Sequence, residues 1–206
     1  MKIRTTILSV ALCVLPLAAA AQMGNPAGMG VDTRMSRPGV PAPHQTNNQD
    51  RLFAQLAAAG GLAEVELGKL GGEKAKADAV RRFAEMMVRD HSDANAKLKD
   101  LADAAKIPIP DQLDAEHSIV RDRLQRLNGD DFDAAYVKSQ IVDHQKTAQL
   151  LSWEISMGED ADMQRLAAAL LPKVLEHLRM AQELNNVLTG AAIRLPPEEM
   201  ATKDGP

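Results

Sequence analysis

Cysteine and aromatic residues are scarce in this sequence. Its 206 residues include one cysteine, one tryptophan, one tyrosine and three phenylalanines. The cysteine, Cys13, lies in an N-terminal apolar run that export would remove, so the mature chain has no thiol for a disulfide or for nucleophilic catalysis. The sequence also has no Ser-His-Asp pattern and no phosphate-binding glycine loop. We therefore expect no nucleophilic or nucleotide-binding enzyme.

An excess of basic charge is absent as well. The formal net charge is −4, and removal of Lys2 and Arg4 with the N-terminal segment makes it −6. Nucleic-acid-binding proteins need a cationic groove and stacking aromatic rings, so no nucleic-acid partner is expected. The acidic balance also disfavours attachment to an anionic lipid surface. Composition leaves protein partners and the oligomeric state open.

Residues 1–21 have the features of a secretory signal peptide. Basic residues are followed by an apolar run over residues 7–17 and by three alanines before Gln22, a typical cleavage site. Leu12 precedes Cys13 where a lipoprotein signal would place a small residue. The run is too short for a membrane anchor, and no later stretch reaches about 18 apolar residues. We expect a periplasmic protein without a transmembrane segment, and peripheral association with the envelope stays open.

The segments flanking the central region have the composition of flexible arms. Residues 22–47 are rich in Gly, Pro and Met without helical or strand periodicity, which predicts a disordered arm. Met23, Met29, Met35 and His44 could hold Cu(I) there, although scattered thioethers more often have no such role. Residues 191–206 resemble a second, shorter tail.

Residues 48–190 show helical periodicity throughout. Two long helices end near Ala77 and near Lys106, where the Ile107–Pro110 segment interrupts the pattern. A short helix over residues 113–127 and two further long helices, separated near Gly158, complete the series. Two helical hairpins joined by a long connection predict an all-α, ferritin-like four-helix bundle with a short extra helix in its crossover.

An apolar stripe follows each long helix; on the first helix it includes Leu52, Leu56 and Leu70, and on the second it extends from Val80 to Leu101. A polar residue interrupts the stripe near the middle of each long helix. These residues are Glu66, His91, His144 and His177. Measured from the two hairpin turns, the members of each pair differ by three residues, which corresponds to about 4.5 Å along the helix axis. One carboxylate and three imidazoles at a common depth could bind a single Zn, Cu, Fe or Mn ion.

Other residues could support or complete this site. Asp90 and Asp143 each precede a histidine, and they are placed to orient an imidazole of a neighbouring helix. Further candidates lie one or two helical turns from the predicted ligands: Glu73, Met87 and Met180.

A simpler interpretation treats the same residues as a structural cluster. Buried polar side chains in bundle cores often hydrogen-bond to one another and define helix register. Methionines on such faces commonly fill gaps. Under this interpretation no metal is bound, His117 is solvated in the crossover, and Glu154, one position away from its stripe, faces water.

Several segments form a recognisable combination: AEVELG at residues 63–68, Phe83 to His91, Phe132-Asp133 with Tyr136, His144, and Leu171-Pro172 to His177. Together they resemble a family of exported bacterial domains of unknown function, often called predicted outer membrane proteins and grouped with ferritin-like bundles. The resemblance implies export and an up-down-down-up bundle but no defined activity. Di-iron ferritin-like proteins carry Glu-x-x-His on two helices, and this sequence has none. We expect a binding or stress-related protein, with a structural module as the alternative and a redox enzyme third.

Overall fold

The computed structural model describes residues 45–190, which contain five α-helices. The predicted signal peptide, most of the N-terminal arm and the C-terminal tail lie outside the described residues. The helices are α1 (Asn48–Lys74), α2 (Asp78–Ala104), α3 (Ala115–Gln125), α4 (Gly129–Met157) and α5 (Ala161–Leu188). Four are long and one is short, and this part of the chain contains no strand.

Two carboxylates show how the hairpins are arranged. Asp133, at the start of α4, accepts the backbone N–H groups of Lys76 and Ala77 in the α1–α2 turn. Asp50, at the start of α1, accepts those of Glu159 and Asp160 in the α4–α5 turn. Because α2 and α4 therefore start at the same end, they run parallel. The ferritin-like fold predicted from the sequence is confirmed.

The crossover between α2 and α4 spans the length of the bundle. Its first part inserts Ile107 into a core near the α4–α5 turn, and α3 inserts Leu124 into a core near the α1–α2 turn. Both side chains are almost completely buried. These two buried side chains hold the crossover against the bundle along its path from the α4–α5 end to the α1–α2 end.

Two separate apolar cores fill the bundle. The α4–α5 core contains residues of all four long helices, including Phe53, Leu98, Leu151, Met163 and Val174. The α1–α2 core contains Leu67, Val80, Phe83, Met87, Phe132, Tyr136 and Ala181. In each long helix the two sets are separated by a buried polar residue near the middle of the helix: Glu64, His91, His144 and His177. The cores are thus divided by one polar layer.

The buried face of α1 differs from the predicted stripe. Leu52 and Leu56 are 41% and 48% exposed, whereas Phe53 and Leu67 are completely buried. Small residues surround the stripe on α1, so hydrophobic periodicity alone does not identify its buried side. Close packing identifies the buried side instead. At Gly71, α1 approaches α2 so closely that an added Cβ would lie 2.7 Å from the Cβ of Ala84. The prediction for Leu52 and Leu56 was wrong.

The α4–α5 end contains a second buried polar group. Asp50 and Glu154 are fully inaccessible to solvent, so the expectation that Glu154 faces water was wrong. Asp50 accepts three backbone N–H groups and forms a capping box with Asn47. An added Cβ at Gly158 would lie 2.8 Å from Asp50 Oδ1 and 2.4 Å from Glu154 Oε1. The turn therefore packs directly on these two carboxyl groups.

Candidate metal centre

Three histidines from three helices meet in the polar layer. His91 of α2, His144 of α4 and His177 of α5 are all buried, with exposed fractions of 8%, 1% and 4%. Their ring centroids are 5.4 to 5.6 Å apart, and one ring nitrogen from each lies within 4.8 Å of the others. Among residues 45–190 this is the only group of three or more His, Cys, Asp or Glu residues close enough to share a metal ion.

Hydrogen bonds hold the outer nitrogen of two of these rings. Nδ1 of His144 donates to the backbone carbonyl of Gln140 at 2.9 Å. Nε2 of His177 donates to Oδ2 of Asp90, on the neighbouring helix, at 3.2 Å. Because the nitrogen that donates carries the proton of the neutral ring, the other nitrogen keeps a free lone pair. Such outer partners commonly fix the tautomer of a metal-binding histidine.

The remaining nitrogens have no hydrogen-bond partner among the described residues. They are Nε2 of His91, Nε2 of His144 and Nδ1 of His177, and all three are buried. An unpaired buried polar atom costs on the order of 1–3 kcal/mol. Other buried side-chain atoms also lack a partner among the described residues, such as both amide atoms of Gln140, but these three belong to rings close enough to share one ion. Coordination of one ion would satisfy all three together.

Burial also keeps these imidazoles neutral. Desolvation and the neighbouring histidines lower the pKa of His91 to about 3. The same causes lower the pKa of His144 to about 4. Burial lowers the pKa of His177, although the Asp90 carboxylate opposes this shift. At neutral pH all three rings are therefore in the deprotonated form that binds metals.

The carboxylate of the layer is Glu64 and not Glu66. The Glu66 side chain is 45% exposed and lies 3.8 Å from Arg121 of the crossover, away from the histidines. Glu64 is buried, and its Oε1 lies 3.5 Å from Nδ1 of His144. This two-residue error follows from the misassigned face of α1. Distance from the hairpin turn favoured Glu64, which lies 13 residues before Ala77 while His91 lies 14 after it.

Glu64 is protonated more readily than an ordinary glutamate. Burial, and then the charge of Asp143, raise its pKa to about 8. Its Oε2 is buried without a hydrogen-bond partner among the described residues. A positive charge placed in the layer would favour ionisation of this carboxyl.

The other predicted residues lie in different places. Asp90 contacts His177, whereas Asp143 is half-buried beneath the crossover, near His117 and Lys146. The remaining three are not among the three-histidine group: Glu73 is exposed, Met87 is buried in the α1–α2 core, and Met180 packs against that core. The sequence did not predict the role of Gln140, whose backbone carbonyl oxygen accepts the hydrogen bond of His144. Side-chain periodicity contains no information about backbone acceptors.

Comparison with known proteins assigns the chain to a family. The domain of unknown function DUF4142 matches residues 35–184, which include the whole polar layer. The chain belongs to this family. No curated protein matches the DUF4142 chain. The predicted family of unknown function is thereby confirmed, while its outer-membrane label receives no support.

Solved structures show the same fold. A crystal structure of a DUF305 fragment from Deinococcus radiodurans has a TM-score of 0.62 at 15% identity, covering 72% of this chain and 99% of that chain. A DUF305 protein from Streptomyces coelicolor, described as secreted, has a TM-score of 0.60 at 15% identity, covering 68% and 92%. At this identity the likeness concerns fold alone. Within residues 45–190, no helix of the DUF4142 chain has the length and apolar character needed to cross a membrane.

Proposed function

We propose that this DUF4142 protein is an exported, periplasmic metal-binding bundle with a metal-handling or stress-related role. Its ligands are His91, His144 and His177, and it binds one transition-metal ion. The observation that carries this proposal is the set of three buried, unpartnered ring nitrogens, one from each histidine. Imidazole ligands suit Zn, Cu and Fe, and Mn is the fourth candidate metal.

The surrounding groups support binding of a cation. Asp90 and the Gln140 carbonyl orient two of the rings, and Glu64 contacts the outer edge of His144. Ionised Asp90 and Glu64 would offset the charge of a divalent ion in this poorly solvated layer. Export is supported by the signal-like residues 1–21 and by the secreted description of the Streptomyces coelicolor neighbour.

The test begins with protein exported by its own leader and purified from the periplasm. We expect one equivalent of metal by elemental analysis and one binding site by titration calorimetry. Each of the substitutions H91A, H144A and H177A should abolish stoichiometric binding. H117A is the matched control, because His117 lies in the crossover outside the layer. Metal at 100 times its Kd should add about 2.7 kcal/mol to the free energy of unfolding.

The result that would overturn the proposal is equally direct. The proposal is wrong if the wild-type protein carries no stoichiometric metal, takes up none in the titration, and keeps its Tm when chelator is added. The structural interpretation would then apply, since the hydrogen bond between His177 and Asp90 links α5 to α2 without any ion.

A further inference from the structure

A cavity adjoins the histidine layer on the side of the α4–α5 core. It has a volume of about 50 Å³, with His91 and His177 in its wall. The rest of its wall is mainly apolar, with residues such as Phe53, Ala94, Leu98 and Val174, but it also contains the carboxyl groups of Glu64 and Asp90. Toward the α1–α2 core, Met87 and Tyr136 are fully buried. Packing is therefore asymmetric about the layer.

Three protein ligands leave the coordination of a transition metal incomplete. Structural zinc sites are closed by four protein ligands, whereas sites with three keep a position for an exogenous ligand. Resting on the proposed function, we propose that the metal keeps an exchangeable fourth position that faces this cavity. We further propose that this position takes a small monoanion of no more than three non-hydrogen atoms, such as hydroxide or hydroperoxide.

The size limit follows from the cavity. A buried water needs roughly 10–15 Å³ of such space, so about 50 Å³ accommodates roughly three or four waters or one short linear ion. A ring-shaped ligand is too large unless neighbouring side chains move. Cores resist such movement because they are close-packed.

The charge preference follows from the ligands. Three neutral imidazoles leave the charge of a divalent ion uncompensated within its coordination shell, and a charge in a poorly solvated site favours an opposite charge beside it. Lys173 also lines the cavity, and its ammonium lies 3.9 Å from Asp90 Oδ2. That cation partly neutralises Asp90, one of the two acidic residues of the wall, and favours entry of an anion.

Glu64 is the protein group that could instead close the fourth position. Its Oε1 approaches Nδ1 of His144, but the unpartnered nitrogen of that ring is Nε2. The carboxyl therefore lies against the outer edge of the ring, as a positioning group would. Glu64 also lines the cavity, but with its carboxyl at the Nδ1 edge of His144 the position beside His91 and His177 is left to an exogenous ion.

The probe is azide, a linear monoanion of three nitrogens, added to the Co(II)-loaded protein. We expect a saturable change in the visible d–d spectrum at one azide per cobalt, and no change with 1-methylimidazole. The A94L substitution, which fills the cavity, should retain Co(II) uptake and weaken azide binding at least tenfold. A169L on the exposed face of α5 is the matched control and should bind azide normally. In E64Q, azide binding should persist.

The possible results separate the two proposals. Absence of Co(II) uptake by the wild-type protein overturns the proposed function and this inference with it. Stoichiometric Co(II) with a spectrum that azide leaves unchanged overturns this inference alone. An azide response that appears only in E64Q assigns the fourth position to Glu64 and also overturns it. Equal responses to azide and 1-methylimidazole contradict the size limit.

Discussion

The Asp50 carboxylate and the histidine layer are both buried, but the surrounding chain satisfies only the first of them. At the α4–α5 end, the Asp50 carboxylate accepts backbone N–H groups from Asn47, Glu159 and Asp160 at 2.5 to 3.1 Å. In the middle of the bundle, three imidazole nitrogens of the histidine layer have no donor or acceptor among the described residues. The comparison shows that burial of polar atoms alone does not identify a binding site. The decisive difference is whether the surrounding chain already satisfies those atoms.

The largest expected change in stability comes from removing the Asp50 carboxylate. D50A leaves three backbone N–H groups without their acceptor, so we expect the free energy of unfolding to fall by about 3–5 kcal/mol. Urea denaturation of the metal-free protein measures this change. D103A, which removes an exposed carboxylate paired with Lys99, should change stability by no more than about 0.5 kcal/mol. Similar losses in the two variants would contradict a structural role for Asp50.

The next effect concerns pH at the α4–α5 end. Burial, and then neighbouring Asp50, raise the pKa of Glu154 from 4.5 to about 9. Between these values the folded protein holds a proton that the unfolded chain has released, so this group makes stability fall as pH rises. E154Q cannot ionise and should escape that loss. We expect its stability relative to wild type to increase by about 4 kcal/mol from pH 5 to pH 8. A pH-independent difference in urea denaturation would contradict this expectation.

A third prediction compares the two glutamates of α1 within the proposed function. E64Q removes a carboxyl that lies beside His144, so metal affinity should fall about tenfold. E66Q is the matched control, because Glu66 is exposed and lies beside Arg121. Calorimetric titration of both variants with Zn(II) measures the difference. A greater loss of affinity in E66Q than in E64Q would indicate that Glu66, the residue predicted from the sequence, belongs to the site.

The smallest expected effect is on the stability of the metal-free protein when a histidine of the layer is replaced. H91L replaces an imidazole that has a buried, unpartnered nitrogen with an apolar side chain of similar size. We expect the metal-free protein to gain about 1 kcal/mol of stability while metal binding is lost, since an unpaired buried polar group is costly. Thermal unfolding with and without metal measures both. A clear loss of stability in metal-free H91L would indicate that the layer is a structural cluster.

The accuracy of sequence reasoning differed between the helices. On α2 the stripe from Val80 to Leu98 contains large residues with polar neighbours, and the buried face, including the buried position of His91, was predicted correctly. On α1, alanine and glycine occur on all sides, and the predicted face was rotated toward Leu52 and Leu56. Side-chain volume, which periodicity ignores, decides which face can approach another helix closely.

The buried carboxyl groups were the least predictable part. Glu154 and Asp50 are brought together by the α4–α5 turn from positions more than 100 residues apart in the sequence. A pattern within one helix contains no information about such a partner. The position of Asp133 beneath the α1–α2 turn is of the same kind.

By itself, the sequence determined the number and type of long helices, the hairpin connections and the common depth of His91, His144 and His177. These features depend on local periodicity and on helix rise, which are properties of the chain within one element. Only the tertiary structure decided that Glu64 replaces Glu66, which ring nitrogens lack partners, and that an apolar cavity adjoins one side of the layer. Those features depend on how side chains from different helices pack around one another.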